Sequence, residues 1–219
     1  VYTPEQIVVS TGAKQSIANL VLALVDSGDE VIIPTPYWVT YSEIVKLSGG
    51  VPRFVKTTIE SGYKITPAQL EEAITEKTKL FMFSSPCNPS GAVYTKEELA
   101  SLAEVFKKNP QVFIMSDEIY EHIVFEGKHE SIAQFDFLKD SIIIINGLSK
   151  GFAMTGWRLG YLAAPLFIAK AADKLQGQFT SATCSITQRA GIAALAGDLK
   201  PTYDMVAEFR LRRKIVLQL

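Results

Sequence analysis

The amino-acid sequence predicts an α/β fold: a three-layer α/β/α sandwich whose sheet is mostly parallel with one antiparallel strand. Strand-like apolar runs alternate with helix-length amphipathic segments, the pattern that places helices on both faces of a parallel sheet. Several runs, VFIM and SIIII among them, are short and continuously apolar, as in strands covered on both sides. At 219 residues, 47% hydrophobic and 21% charged, the chain is long enough to bury such a sheet as one domain over residues 1–219.

The elements follow in order. QIVVS (6–10) is a strand, leading into a helix over 13–25 in which Ile17, Leu20, Val21 and Leu24 recur at helical spacing. EVIIP (30–34) is a second strand, followed by a helix across 37–48. VPRFVKT is a third strand. TPAQLEEAI is a helix with Thr66 as its cap, Pro67 in the first turn and Gln69 completing a capping box. After the strand KLFMFSS, the helix TKEELASLAEVFKK carries its own capping box in Thr95 and Glu98. VFIMSDE and SIIIIN are further strands, and WRLGYLAA follows the latter so closely that it reads as the antiparallel one. Three helices, roughly 165–176, 183–197 and 202–218, complete the pattern.

Composition excludes several classes of function. The net charge is -1 and basic residues are dispersed apart from Arg212, Arg213 and Lys214, so no nucleic-acid footprint is present. Cys87 and Cys184 lie far apart, and only His122 and His129 could join them as soft ligands; neither a metal site nor a disulfide framework is expected, and a reducing cytoplasm is the natural compartment. No apolar run approaches the roughly 20 residues that span a bilayer, and Val1-Tyr2-Thr3-Pro4 does not open a signal sequence. Because the first residue is Val and EFRLRRKIVLQL stops within a helical pattern, the chain is expected to be a piece of a longer protein.

In open parallel sheets, ligands bind beyond the carboxyl ends of the strands. STGAKQ (10–15) stands at one such end; its small-residue turn opens a helix whose free N–H groups suit a phosphate, although one glycine before a helix also serves as a plain turn. SPCNPSG (85–91) stands at another, where Pro86 and Pro89 stiffen the chain around the Asn88 amide, again as a turn or as a site. Cys87 reads as a small packed residue rather than a nucleophile. SDEIYEH (116–122) places Asp117 at a strand exit, as a ligand or a helix cap, with Tyr120 three residues on.

Beyond SIIII comes Lys150. A lysine at the end of a buried strand is costly to desolvate, and one held this way has its pKa drawn towards neutrality, which suits attack on a carbonyl to form a Schiff base. A snorkelling surface lysine is the structural alternative, as a surface ion pair is for the nearby Arg158, whose charged fork suits phosphate. Together these exits supply a phosphate cradle, a carboxylate, a phenol, an amide, an amine and a guanidinium. That set meets the needs of pyridoxal 5'-phosphate, which requires a Schiff-base lysine and an acidic partner for its ring nitrogen.

The segments TPYWVTY, SSPCNPSGAVY, SDEIYEH and NGLSKGFAMTGWRLGY resemble the aspartate aminotransferase family of fold type I pyridoxal-phosphate enzymes, in particular its bacterial aspartate and aspartate/prephenate branch. The resemblance runs from about residue 5 to the end. It implies the large, cofactor-binding domain of an aminotransferase acting on an amino acid and a 2-oxo acid by a ping-pong mechanism, homodimeric at full length. Lys150 matches the Schiff-base lysine that also shuttles a proton, Asp117 the carboxylate on the ring nitrogen, and Tyr120 and Asn88 the two side chains on the cofactor's phenolic oxygen. Trp38 matches the ring stacked on the cofactor, and Trp38 and Asn88 also face the substrate. Gly12, Ala13 and Lys14 match the phosphate-binding turn, with Arg158 as its charged partner.

Several positions depart from the wider family. Gly147 stands where many members carry a phosphate-binding serine, leaving Ser149 as the substitute. Cys87 takes a place often held by asparagine. Lys14 matches a lysine associated with the distal carboxylate of acidic substrates, which points to aspartate or glutamate. The N-terminal arm and the small domain, with its arginine for the substrate α-carboxylate, have no counterpart in these residues, so the chain by itself is expected to be poorly active. Decarboxylases and C–S lyases share the lysine and aspartate; MTGWRLGY and GAKQ favour transamination. A cofactor-sensing regulator is the non-enzymatic alternative, and no basic recognition helix supports it.

Overall fold

Seven strands, β1 (Ile7–Ser10), β2 (Glu30–Thr35), β3 (Val51–Lys56), β4 (Thr78–Ser84), β5 (Phe113–Asp117), β6 (Ile142–Gly147) and β7 (Gly160–Ala163), form one sheet in the computed structural model, which describes residues 1–219. Their order is β1-β7-β6-β5-β4-β2-β3. β7 runs antiparallel to both its neighbours, β1 and β6, and the remaining pairs are parallel. The mostly parallel sheet with one antiparallel strand is therefore as the sequence predicts.

The helices are α1 (Ala13–Leu24), α2 (Thr40–Leu47), α3 (Pro67–Ala73), α4 (Lys96–Lys108), α5 (Leu166–Phe179), α6 (Ser185–Ala196) and α7 (Lys200–Val216). They create two cores because side chains alternate across a strand. Ile143 and Ile145 of β6 face α1, α2 and α5, packing in one cluster with Ile17, Leu20, Tyr41 and Ile168. Ile142 and Ile144 face α3 and α4, in a second cluster with Leu70, Leu99, Leu102 and Phe106. The unbroken isoleucine run is thus two alternating half-runs, each buried against a different layer.

Both capping boxes form. The Gln69 and Glu98 N–H groups donate to the Thr66 and Thr95 hydroxyls, each at 3.2 Å, and the two long side chains accept the cap N–H groups in return. Several boundaries differ from expectation. The strand expected over 157–164 starts only at Gly160, because Thr155–Trp157 form a 3-10 turn and Arg158 is left-handed, and α6 and α7 start at Ser185 and Lys200 rather than 183 and 202. α2 starts at Thr40 rather than 37, because Tyr37 leaves the helical path to stack on Phe54, with ring centroids 5.2 Å apart, and Trp38 turns towards the strand ends. α5 continues to Phe179, past the predicted 176. This keeps the buried Gln176 helical where it accepts from Ser10 Oγ (2.7 Å) and Asn19 Nδ2 (2.9 Å) and donates to the Val9 carbonyl (2.8 Å), so one amide ties β1, α1 and α5 together.

The carboxyl ends of β4, β5 and β6 open at the same edge as the amino end of α1, where the backbones converge closely. Gly147 and Gly160 are register partners across β6 and β7, and a Cβ on Gly147 would stand 2.8 Å from the Gly160 Cα. A Cβ on Gly160 would meet the Gly12-Ala13 backbone, 2.6 Å from the Ala13 Cα. No side chain can give way there, so Gly160→Ala must displace α1 from the sheet. The variant is expected to lose about 1–3 kcal/mol or more in thermal or denaturant unfolding; a melting temperature equal to that of the wild type would show that the contact is not tight.

Candidate active site

At this edge lies a cavity of about 320 Å³. Its lining contains Ala13, Lys14, Trp38, Asn88, Asp117, Tyr120, Ser149, Lys150 and Arg158. Chain segments up to 145 residues apart, from Ala13 to Arg158, are gathered there by the sheet order. Gly12 does not line the cavity; it lies beneath the Arg158 guanidinium, where a Cβ would come within 3.1 Å of Arg158 Cζ, and its φ of +88° suits a residue without one.

α1 begins at Ala13, so the N–H groups of Ala13 and Lys14, which line the cavity's end, have no carbonyl one turn earlier to bond, whereas that of Gln15 donates to the Gly12 carbonyl at 3.0 Å. Above them, Arg158 has left-handed backbone (φ 54°) and donates through Nη1 to the Thr155 carbonyl at 2.8 Å, while forming no ion pair with any carboxylate. Amides and guanidinium together make a positive cradle suited to an anion. Lys14 lies on the same turn with Nζ 4.8 Å from the Trp38 ring centroid.

Asp117, the last residue of β5, is 4% exposed. Burial pushes its pKa up to about 6, against the opposing effect of two donors: Tyr41 Oη at 2.7 Å and the Ile119 N–H at 3.2 Å. The Tyr41 phenol is itself held well above its ordinary range by burial and by the carboxylate. Glu118 faces the other way, into Ser116 Oγ (2.9 Å), Ser131 Oγ (2.7 Å) and His129 Nε2 (3.1 Å). Burial alone would lower the His129 pKa, but the Glu118 hydrogen bond and charge outweigh it and raise it. The alternation of the strand so directs one carboxylate to the cavity and locks its neighbour behind it.

Tyr120 stands beside Lys150, whose Nζ is 5.7 Å from its ring centroid. The burial expected of Lys150 is not found. β6 ends at Gly147, and Lys150, three residues beyond, is exposed at the cavity rim, so the desolvation argument made from the sequence does not apply. Ser149 lines the cavity, whereas Gly147 is confined by the backbone of β7; that close approach explains why no side chain stands there. Cys87 is half-buried, its thiol 3.6 Å from the Pro36 carbonyl, in keeping with a packing role. Sequence inspection missed Tyr41, Ser84, Ile119 and Thr155, which also line the cavity. For Tyr41 a signal existed in its spacing, three residues after Trp38, which sets both aromatic rings edge to face at 5.8 Å.

The donor set fits pyridoxal 5'-phosphate. A buried carboxylate whose ionisation lacks a cationic partner is complemented by a protonated ring nitrogen, the positive turn by a phosphate, and the amine at the rim by an aldehyde. An α/β sandwich with this set at its strand ends has the framework of a fold type I transferase. Within that class, the chain belongs to the aminotransferase class I and II family, whose model matches residues 1–218. Aspartate aminotransferases of this family depend on pyridoxal 5'-phosphate.

Among curated relatives, the chain is 46% identical over 227 residues to the aspartate/prephenate aminotransferase of Cereibacter sphaeroides, covering 100% of the chain and 55% of that protein. It is 49% identical over 213 residues to the aspartate aminotransferase of Bacillus subtilis, covering 96% and 54% respectively. The crystal structure of the aspartate aminotransferase from Rhizobium meliloti superposes with a TM-score of 0.97 at 41% identity, covering 100% of this chain and 55% of that one. The chain thus spans about half the length of these relatives.

The raised Asp117 pKa has a consequence for stability. A carboxyl group with pKa near 3.9 when unfolded and about 6 when folded favours the folded state most when protonated. Its contribution therefore declines as pH rises from about 4 to above 6, by about 3 kcal/mol at most. In cofactor-free protein, Asp117→Asn is expected to lack this part of the pH dependence. Melting temperatures of the two proteins between pH 4 and 7 test it, and parallel profiles would contradict the assignment.

Proposed function

We propose that this chain is the cofactor-binding large domain of an amino-acid aminotransferase that transfers the amino group of aspartate or glutamate to a 2-oxo acid in ping-pong fashion. The observation that carries the proposal is the convergence of Lys150, the buried Asp117 and the Ala13–Arg158 cradle on one cavity. When bound, pyridoxal 5'-phosphate supplies an electron sink conjugated to the substrate's α-carbon.

The residues divide the remaining work. Asp117 provides a fixed negative charge for the ring nitrogen, oriented in advance by Tyr41 and the Ile119 amide, so little reorganisation accompanies the charge shift. Tyr120 and Asn88 would donate to the cofactor's phenolic oxygen, and Trp38 would pack on its ring and, with Asn88, border the substrate. The α1 amides, Arg158 and Ser149 hold the phosphate, which anchors the reacting end. Lys150, at the cavity rim, would hold the cofactor's aldehyde end and, as a free amine, would be the group placed to carry a proton at the substrate's α-carbon. Lys14 meets the distal carboxylate of an acidic substrate; the names of the relatives, which specify aspartate, support that choice.

The full-length protein is proposed to be a cytoplasmic homodimer, in keeping with two unpaired cysteines. Exposed apolar side chains on α6 and α7, such as Ile186, Ile192, Leu195 and Ile215, suit a surface covered in that longer assembly.

An absorbance titration with pyridoxal 5'-phosphate tests the proposal. A protein-bound band is expected with the wild type and not with Lys150→Ala, and aspartate is expected to bleach it through one half-reaction. The absence of any Lys150-dependent band would remove the cofactor assignment for this chain; a band indifferent to aspartate would mean a cofactor domain that lacks the rest of its substrate clamp or one built for another substrate.

A further inference from the structure

Lys150 and Tyr120 lie beyond the last ladder hydrogen bonds of β6 and β5, on loops whose internal bonds are short-range turns. Ala153 N–H donates to the Lys150 carbonyl (3.1 Å) and Ile123 N–H to the Tyr120 carbonyl (2.8 Å). Such turns shape each loop without setting the distance between them.

Two kinds of contact bridge the loops. Between them, the His122 ring meets the Phe152 ring edge-on at 5.6 Å and packs on Gly151, where a Cβ would come within 2.8 Å of His122 Cδ2. Asn146 Nδ2 also donates to Glu121 Oε1 at 2.7 Å. From outside, α7 crosses both loops. Thr202 Oγ1 donates to the Gly151 carbonyl at 2.8 Å, one residue after Lys150. Eight residues along the same helix, a rise of about 12 Å, Arg210 Nη2 donates to the Val124 carbonyl at 3.0 Å. Arg213 adds an ion pair with Glu126 at 3.0 Å.

The burial of α7 makes these ties informative. Of its 17 residues only Thr202 and Val206 are buried, and every residue from Ala207 onward is exposed. Within this chain, the side-chain bonds that α7 makes outside itself run to the two loops that carry Lys150 and Tyr120.

We propose that α7 is a rigid strut that sets the two loops relative to one another, with Thr202 as the positioning residue that holds the Lys150 turn and Arg210 as its counterpart on the Tyr120 loop. The significance for catalysis rests on the reading of Lys150 given above; the positioning itself does not. A helix is stiff along its axis, so movement of α7 is passed to both carbonyls together, and strain on the Lys150 turn is passed back to the helix.

The test uses the full chain without cofactor, comparing Thr202→Val, which keeps the buried volume and removes the donor, with Thr202→Ser, which restores a hydroxyl. Amide hydrogen exchange is followed by peptide mass spectrometry together with the acylation rate of each lysine by a water-soluble amine reagent. Thr202→Val is expected to speed exchange in residues 148–154 about fivefold, the effect of one lost hydrogen bond, and to change the labelling of Lys150 while leaving that of Lys46 and Lys139 unaltered. Thr202→Ser is expected to return both signals to wild type. Arg210→Gln, at an exposed position, is expected to act on residues 120–126.

Unchanged exchange and labelling in both loops, or an equal rise throughout the chain, would overturn the proposal. The absorbance band of the wild type is scored separately. A band with unaltered loop exchange refutes the strut alone, and altered loop exchange without a band refutes the cofactor reading alone.

Discussion

The meeting of three backbones at Gly147, Gly160 and Gly12-Ala13 is the constraint on which the rest of the site depends. Two paired strands and the start of a helix approach more closely there than any Cβ would allow. The approach brings the free amides of α1 to the strand ends. It also sets Arg158, two residues before Gly160, over Gly12 and so beside those amides. Ser10 of β1 faces the same Gly160 from the opposite side of β7, which makes the antiparallel strand the hinge between the anion cradle and the lysine loop. A parallel strand in that place would need a long crossover, and Arg158 would leave by another route.

Electrostatics organises the other end of the cavity. Asp117 and Glu118 are both buried and both acidic, yet their surroundings differ. Glu118 is satisfied by two hydroxyls and His129, whereas Asp117 has a phenol and one amide, too little to hold its pKa down. The first is fully bonded within the fold, whereas the second faces the cavity with its pKa raised by burial. Neighbouring residues at the end of β5 turn to opposite faces, and the partners that each face supplies make the difference.

Much of this was legible before the fold was known, because local chemistry determines it. The capping boxes at Thr66 and Thr95 are decided within four residues, and both form. The paired strands VFIM and SIIII announce a doubly covered sheet by their unbroken apolarity. Strand exits could be searched for function because the fold class says where ligands bind, and the residues singled out at four of them line one cavity, Gly12 excepted. What could not be read locally was misjudged where it depended on distant partners. Lys150 follows a buried strand but emerges at the rim; the start of α2 yields to a stacking contact with Phe54; and Gly147 lacks a side chain because β7 lies against it.

By itself, then, the sequence determined the alternation of strands and helices, the capped starts of α3 and α4, and the inventory of amine, acid, phenol and guanidinium, since each follows from residues a few positions apart. Only the tertiary structure decided that Tyr41, 76 positions before Asp117, holds its carboxylate. It alone also brought Thr202 of α7 to the turn that carries Lys150. Contacts of that kind arise from the packing of elements whose separation along the chain carries no periodic signal, and the chain must fold before they exist.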